Sequence, residues 1–173
     1  MPARDLAELE RWLETDEAGS RPYRTARLQR LLALFDTSRE NVMFMGGSGS
    51  FQAYTEMRLA FIHGLYFSTV VLALSCIEQE LAGALYASGS DVAARAPLER
   101  LVVQAREAGI LDEELFLAVE KLRGVRNAYA HFRPPLHPTG KIMRALDQEI
   151  HMNDLSESDA VMALEVTAAY LCR

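Results

Sequence analysis

The sequence predicts an all-α protein, an up-and-down helical bundle with additional N-terminal helices. Apolar residues recur at helical spacing along almost the whole chain, and no pair of segments shows the alternation of paired strands. A length of 173 residues suits one domain, which would bury roughly two-thirds of the surface of its unfolded chain. Within it we distinguish an N-terminal part, residues 1–50, from the bundle itself, residues 51–173.

Two amphipathic helices are predicted in the N-terminal part. The first runs from Ala3 to Glu17, and its apolar stripe consists of Leu6, Leu9, Trp12 and Leu13. The second runs from about Thr25 to Phe35. Pro22 and Tyr23 are predicted to break the chain between them, because proline removes a helical hydrogen bond.

A loop is predicted from Asp36 to Ser50, and it ends in the sequence Gly-Gly-Ser-Gly-Ser. A phosphate-binding P-loop requires a lysine and then a serine or threonine after its glycines. Phe51 and Gln52 follow here instead. The pattern therefore indicates a flexible linker rather than a nucleotide site.

The bundle is predicted to contain five helices. The segment from Phe51 to Tyr86 forms two of them, which meet near His63, and the second is apolar around most of its circumference, as a central helix is. A third runs from Pro97 to Ala108. The fourth is capped by Asp112 and extends through Arg126 or a little beyond, before Pro134 and Pro135. The last helix runs from about Ser158 to Cys172.

Composition and cysteine usage exclude several classes of protein. The apolar stretch Val70 to Ile77 is far shorter than the about 20 residues of a membrane span, and the charged N-terminus does not resemble a signal peptide. We therefore expect a cytoplasmic chain with no membrane partner. Cys76 and Cys172 form no disulfide framework, and His63, His137 and His151 lack the spacing of metal ligands, so neither a metal nor another cofactor is expected.

Positive charge is concentrated in one segment of an acidic chain. The chain has 18 basic and 24 acidic residues, and residues 121–144, here called the basic segment, contain six of the basic residues and none of the acidic ones. The six cations are Lys121, Arg123, Arg126, Arg133, Lys141 and Arg144. Cations at the end of a helix are favoured by its dipole, but a segment of this kind also suits a phosphate backbone.

The basic segment contains the sequence Arg126-Asn127-Ala128-Tyr129-Ala130-His131. Asn127 and His131 lie four residues apart, on one face of a helix, whereas Arg126 and His131 lie about 140° apart. Arginine is long enough to reach the face of His131, and Pro134 is close enough to loosen the last helical turn. The two side chains are therefore able to converge.

This arrangement resembles the HEPN domain family, whose motif is an arginine, four to six residues, and a histidine. Arg126, Asn127 and His131 match the motif, and Glu78 stands on the preceding hydrophobic helix where many members carry an acid. The resemblance covers roughly residues 52–133. It implies a helical bundle that pairs as a homodimer and brings the motifs of two chains to one cleft. Active members are metal-independent endoribonucleases, often toxins or effectors of prokaryotic defence, and others only bind.

The residue types suit the cleavage of RNA by its own 2′-hydroxyl. Histidine, with an unperturbed pKa of about 6.5, transfers protons at neutral pH, and arginine binds the phosphate through a fork of donors. The expected catalytic residues are thus Arg126 and His131, with Asn127 in support. The remaining cations of the basic segment, Lys121, Arg123, Arg133, Lys141 and Arg144, are the expected RNA-binding residues.

Supporting roles and alternatives remain open. Glu78 is expected to pair with Arg126, and Tyr129 is expected to pack rather than react. One toxin subgroup carries a tyrosine two residues after the motif histidine, which its antitoxin modifies, whereas this chain has Arg133 there. A cognate antitoxin or regulatory protein is a possible partner. The alternatives are a catalytically inactive domain that binds RNA, nucleotide or protein, and a dimer whose cations only solvate a helix end.

Overall fold

The computed structural model describes residues 5–35, 43–91 and 96–172. Within these ranges it contains helices and no strand, which confirms the predicted all-α class. The helices are α1 (Leu6–Leu34), α2 (Gly47–Ile62), α3 (Tyr66–Ala87), α4 (Leu98–Glu107), α5 (Glu113–Ala130), α6 (Lys141–Asp147) and α7 (Met152–Leu171).

Helix α3 is the centre of the bundle and packs against α2, α4, α5 and α7. Its buried stripe contains Val70, Leu74, Ile77 and Leu81, which recur at helical spacing. Among the described residues, α3 is long and apolar enough to cross a membrane by length and composition. Core helices of bundles meet the same criterion, and in this fold the apolar face of α3 is covered by its neighbours.

Across the described residues 5–35 one helix lies where two were predicted, so the predicted break at Pro22 is wrong. Helix α1 continues through Pro22 for 29 residues. A proline inside a helix costs about 3 kcal/mol, largely because a hydrogen bond is lost and its ring crowds the carbonyl four residues earlier. Here that carbonyl belongs to Ala18, which is exposed, so water reaches the carbonyl group that has lost its helical hydrogen bond. Burial along α1 begins at Leu31.

Helix α2 begins inside the glycine-rich sequence, which was predicted to be a linker up to Ser50. A buried carboxylate accounts for this start, because Glu80 of α3 is 1% exposed and accepts three hydrogen bonds there. The backbone N–H groups of Met45 and Gly46 donate to it at 3.0 Å each, and the Ser50 hydroxyl donates at 2.6 Å. Glu80 thus fixes the turn that leads into α2 and caps it with a negative charge, which the helix dipole favours. The predicted loop's residues 36–42 lie outside the described residues.

The turn before α2, at Met45 and Gly46, approaches α3 closely because residue 83 of α3 is a glycine. A Cβ atom at Gly83 would overlap the carbonyl oxygen of Met45, which no side chain tolerates without a shift of the backbone. The buried acid of α3 is Glu80. Glu78, the acid singled out from the sequence, is only half-buried.

The C-terminal half matches the prediction in part. Asp112 caps α5 as predicted, since its side chain accepts a hydrogen bond from the N–H of Leu115 at 2.8 Å. Helix α7 begins six residues before the predicted Ser158, because the ring of His151 accepts a hydrogen bond from the N–H of Asn153 and so caps it there. Helix α6 was not predicted.

The substitution Glu80→Gln should lower the free energy of unfolding by about 2 kcal/mol, because it leaves a buried N–H or hydroxyl donor without its anionic acceptor. Denaturant unfolding followed by circular dichroism measures the change. Glu78→Gln is the matched control on the same helix, and it should change stability by less than about 0.5 kcal/mol. Equal effects of the two substitutions would contradict the capping role of Glu80.

Candidate functional site

The motif lies at the C-terminal end of α5. Arg126 and Asn127 belong to α5, which ends at Ala130, and His131 is the residue that follows the helix. The backbone of His131 is extended, with φ of −121° and ψ of 140°, so the chain leaves the helical path at this residue. The loosened end that the sequence predicted next to Pro134 therefore begins at His131.

Asn127 contacts both residues of the motif. Its side-chain oxygen accepts a hydrogen bond from Nη1 of Arg126 at 3.4 Å, and its carbonyl accepts one from the backbone N–H of His131 at 3.3 Å. Arg126 is half-buried and His131 is exposed. Within the described residues no hydrogen bond joins the Arg126 and His131 side chains. One chain thus brings the two groups to the same helix end without closing a site between them.

The expected ion pair between Arg126 and Glu78 is not formed among the described residues. The ring of Phe67, at the start of α3, lies 5.9 Å from the ring of Tyr129, which fixes where α3 meets the end of α5. Glu78 lies eleven residues further along α3, or about 16 Å of helix. It therefore lies well away from the level of Tyr129, and no carboxylate lies within ion-pair distance of Arg126 in the described chain.

A buried carboxylate on α7 organises the surroundings of the motif. Asp159 accepts hydrogen bonds from the Tyr129 hydroxyl at 3.0 Å and from two nitrogens of Arg144 at 2.9 and 2.5 Å. Burial, and next the charge of Asp159, raise the pKa of Tyr129 far above its ordinary value. The hydrogen bonds to Asp159 likewise raise the pKa of Arg144. Tyr129 thus packs against the core and donates its hydroxyl hydrogen bond to Asp159.

The six cations of the basic segment fall into two groups. Arg144 is paired with Asp159, and Arg123 is paired with Glu120 at 2.7 Å and with Glu99 at 3.5 Å. The other four have no carboxylate within ion-pair distance in the described part of the chain: Lys121, Arg126, Arg133 and Lys141. The RNA-binding role expected of Arg123 and Arg144 is therefore weakened, because their charge is already neutralised.

Two of the free cations are held near the motif by the fold. The ammonium of Lys141 lies 5.6 Å from the centre of the Tyr129 ring, which places α6 beside the end of α5. Arg133 is half-buried, and its Nε atom is buried with no hydrogen-bond partner in the structure described. Both lie within ten residues of His131 in sequence, and Lys141 also contacts Tyr129 in the last turn of α5.

A groove lies away from the motif. It has a volume of about 530 Å³, lies between α1, α5 and α7, and is lined by Arg30 and Lys121 together with Asp154, Glu157 and Glu165. Three carboxylates would repel a phosphate group, so this groove does not suit nucleic acid. Among the described residues no group of three His, Cys, Asp or Glu side chains is arranged to hold a metal ion.

Asp159 is the site residue that sequence reasoning missed. The signal was present, because Asp159 is an acid on the face of α7 that also carries Leu155 and Met162, at helical spacing. An acid inside an apolar face is expected to have buried partners. Its partners, Tyr129 and Arg144, come from two other helices, and their identity follows from the fold alone.

The substitution Asp159→Asn should lower the free energy of unfolding by about 3 kcal/mol, because Arg144 would lose the partner of its largely buried charge. Urea unfolding measures the loss, and Tyr129→Phe serves as the control that removes one hydrogen bond and should cost about 1 kcal/mol. An Asp159→Asn variant as stable as the parent would contradict the organising role of this carboxylate.

Comparison with protein-family models, with curated proteins and with solved structures finds no match to this chain.

Proposed function

We propose that this chain is a metal-independent endoribonuclease of the HEPN type, which binds RNA along the basic segment and cleaves it with Arg126 and His131. The observation that carries the proposal is the pairing pattern at the end of α5. The fold neutralises Arg144 and Arg123 with carboxylates, whereas Arg126 has no carboxylate within ion-pair distance among the described residues and lies five residues from an exposed histidine.

The chemistry assigns one task to each residue type. The 2′-hydroxyl oxygen attacks the adjacent phosphorus while a base removes its proton, and an acid gives a proton to the departing 5′-oxygen. The P–O5′ bond breaks, and the products are a 2′,3′-cyclic phosphate and a free 5′-hydroxyl. His131 is suited to either proton transfer. Arg126 stabilises the charge that grows on the phosphoryl oxygens, and its hydrogen bond to Asn127 limits its motion.

A single chain supplies one histidine to this reaction, which requires both a base and an acid. A homodimer that joins the two α5 ends supplies two histidines and two arginines, so that one His131 acts as the base and the other as the acid. This division of labour agrees with the open geometry in one chain, where no hydrogen bond joins the side chains of Arg126 and His131 within the described residues. The dimer is part of the proposal and comes from the family resemblance.

Arg126→Ala and His131→Ala should each lower the rate of RNA cleavage by at least about a hundredfold, because one removes phosphate stabilisation and the other removes a proton-transfer group. The measurement is cleavage of a mixed RNA pool by the purified chain in EDTA. Two controls outside the basic segment, Arg100→Ala and His63→Ala, remove an exposed arginine and an exposed histidine and should leave the rate unchanged.

Loss of cleavage in Arg126→Ala but not in His131→Ala, with both variants folded, would contradict the proposed proton transfers. If the parent binds RNA and never cuts it, the catalytically inactive binding domain is the correct interpretation. If it neither binds nor cuts, the cations of the basic segment only solvate the end of α5.

The free cations should contribute more to RNA binding than the paired ones. Arg133→Ala and Lys141→Ala should each weaken binding, and removal of one phosphate-binding cation should reduce the slope of log affinity against log salt by about 0.7 for single-stranded RNA. Arg123→Ala is the matched control within the same segment, since Glu120 and Glu99 already neutralise its charge. Binding curves at several salt concentrations measure the slopes. An equal decrease of the slope in all three variants would contradict the division into free and paired cations.

A further inference from the structure

The first half of α1 extends from the bundle without packing against it. Every residue from Asp5 to Gly19 is exposed, which is about 22 Å of helix. This segment, residues 5–19, is here called the projecting helix. Its apolar residues lie on one stripe, yet Leu6, Trp12 and Leu13 are 69%, 63% and 59% exposed.

A helix of this length needs a covered face to be stable. Isolated helices of about 15 residues are marginal in water, and in proteins they owe most of their stability to packing of the apolar face. Because α1 is continuous through Pro22, the projecting helix does not turn back onto its own bundle. The described part of this chain thus leaves the stripe uncovered, which makes it available to another molecule.

The charge of the projecting helix specifies the surface that it fits. Residues 5–17 contain six acidic side chains and one basic side chain, a net charge of −5. Acids in the first turn are favoured by the helix dipole, but Glu14 and Asp16 lie beyond that turn, and Glu17 is paired with Arg21. A complementary surface carries unpaired cations around exposed apolar residues.

The basic segment has both properties. It contains two strongly exposed apolar side chains, since Phe132 is 90% exposed and Leu136 is 75% exposed. In sequence these are flanked by three cations with no carboxylate within ion-pair distance among the described residues: Arg126, Arg133 and Lys141. An acidic helix with an apolar stripe matches cations that flank exposed apolar side chains.

The second half of α1 also carries cations, in residues 21–30, but it does not offer the same surface. Arg21 is paired with Glu17 at 3.5 Å, and Arg24 lines a pocket together with the same Glu17. Arg27 and Arg30 line a pocket together with Glu157, so a carboxylate already lies beside them. The basic segment is therefore the better match for the projecting helix.

Both surfaces lie at the same end of the molecule. Near the point where α1 leaves the bundle, Arg27 donates hydrogen bonds to the carbonyl of Ile62 and to the hydroxyl of Tyr66, at the turn between α2 and α3. The next residue, Phe67, contacts Tyr129 in the last turn of α5. Two copies related by a two-fold axis at this end each present a projecting helix and a basic segment, which is the arrangement of a self-complementary interface.

We propose that the projecting helix of one chain docks on the basic segment of a second copy, with Trp12 and Leu13 against the region of Phe132 and Leu136. The contact is reciprocal, so each chain both gives and receives a helix. Its carboxylates occupy the cations that RNA phosphates would contact. Competition between the helix and RNA rests on the proposed function, whereas the docking itself does not.

Trp12 is the one tryptophan of the sequence, so its fluorescence reports the docking directly. As the 173-residue chain is concentrated from the nanomolar to the micromolar range, its emission should move to shorter wavelength in step with dimer formation measured by sedimentation. The double variant Glu10→Lys, Glu14→Lys should weaken the dimer at least about tenfold, since attractive charge pairs become repulsive.

Mixing that variant with Arg133→Glu, Lys141→Glu should restore a heterodimer and its fluorescence shift, because the charges are again complementary. Three results would each overturn the docking. They are a dimer whose Trp12 emission does not shift, a charge reversal that has no effect on the dimer, and a chain that stays monomeric at all these concentrations. Addition of RNA should return the emission toward longer wavelength. If the helix docks but RNA does not change the emission and is not cleaved, the proposed ribonuclease is wrong. The docking would still stand.

Discussion

The carboxylate of Asp159 is the interaction on which the candidate site depends. It is buried on α7 and accepts hydrogen bonds from Tyr129 of α5 and Arg144 of α6, so it joins the three helices around the motif. A buried carboxylate is tolerated when its charge is paired and its oxygens accept hydrogen bonds. Any movement of the α5 end or of α6 away from α7 would leave that charge unpaired. The loop that contains Arg133 is thereby held between two fixed helices, and His131 is presented at its start.

The same pairing explains how an acidic protein offers a positive surface. Asp159 and Glu120 each neutralise one arginine of the basic segment, and the cations that remain have no carboxylate within ion-pair distance in the described part of the chain. The groove lined by Asp154, Glu157 and Glu165 lies apart from the motif. Negative charge is also concentrated on the exposed first half of α1. Opposite charges thus occupy separate surfaces of one chain, a distribution that favours steering of a polyanion to one surface and self-association through both.

The sequence predicts what depends on local periodicity and local caps. The cap of α5 at Asp112 follows from residue type and is confirmed, and the buried face of that helix, from Leu115 to Val125, shows helical spacing. The start of α2 was not predictable in the same way, because its cap is Glu80, which lies at least thirty residues later in the chain. Helical spacing places Glu80 three residues after the buried Ile77, on the inner face, so its burial was open to prediction although its partners were not. Helix α1 continues through Pro22 because the helix is exposed to solvent at that point. The presence of a proline in the sequence does not by itself reveal that exposure.

The claim that RNA binds at the end of α5 is tested most directly by nuclear magnetic resonance with a 2′-O-methyl RNA, which cannot be cleaved. The account predicts that the ring signals of His131 and the guanidinium signals of Arg126 shift first as RNA is added. The ring signals of His63, at the end of α2, and of His151, at the start of α7, should stay unchanged. Shifts confined to Arg30 and the groove between α1, α5 and α7, or no shift at His131 at saturating RNA, would contradict it.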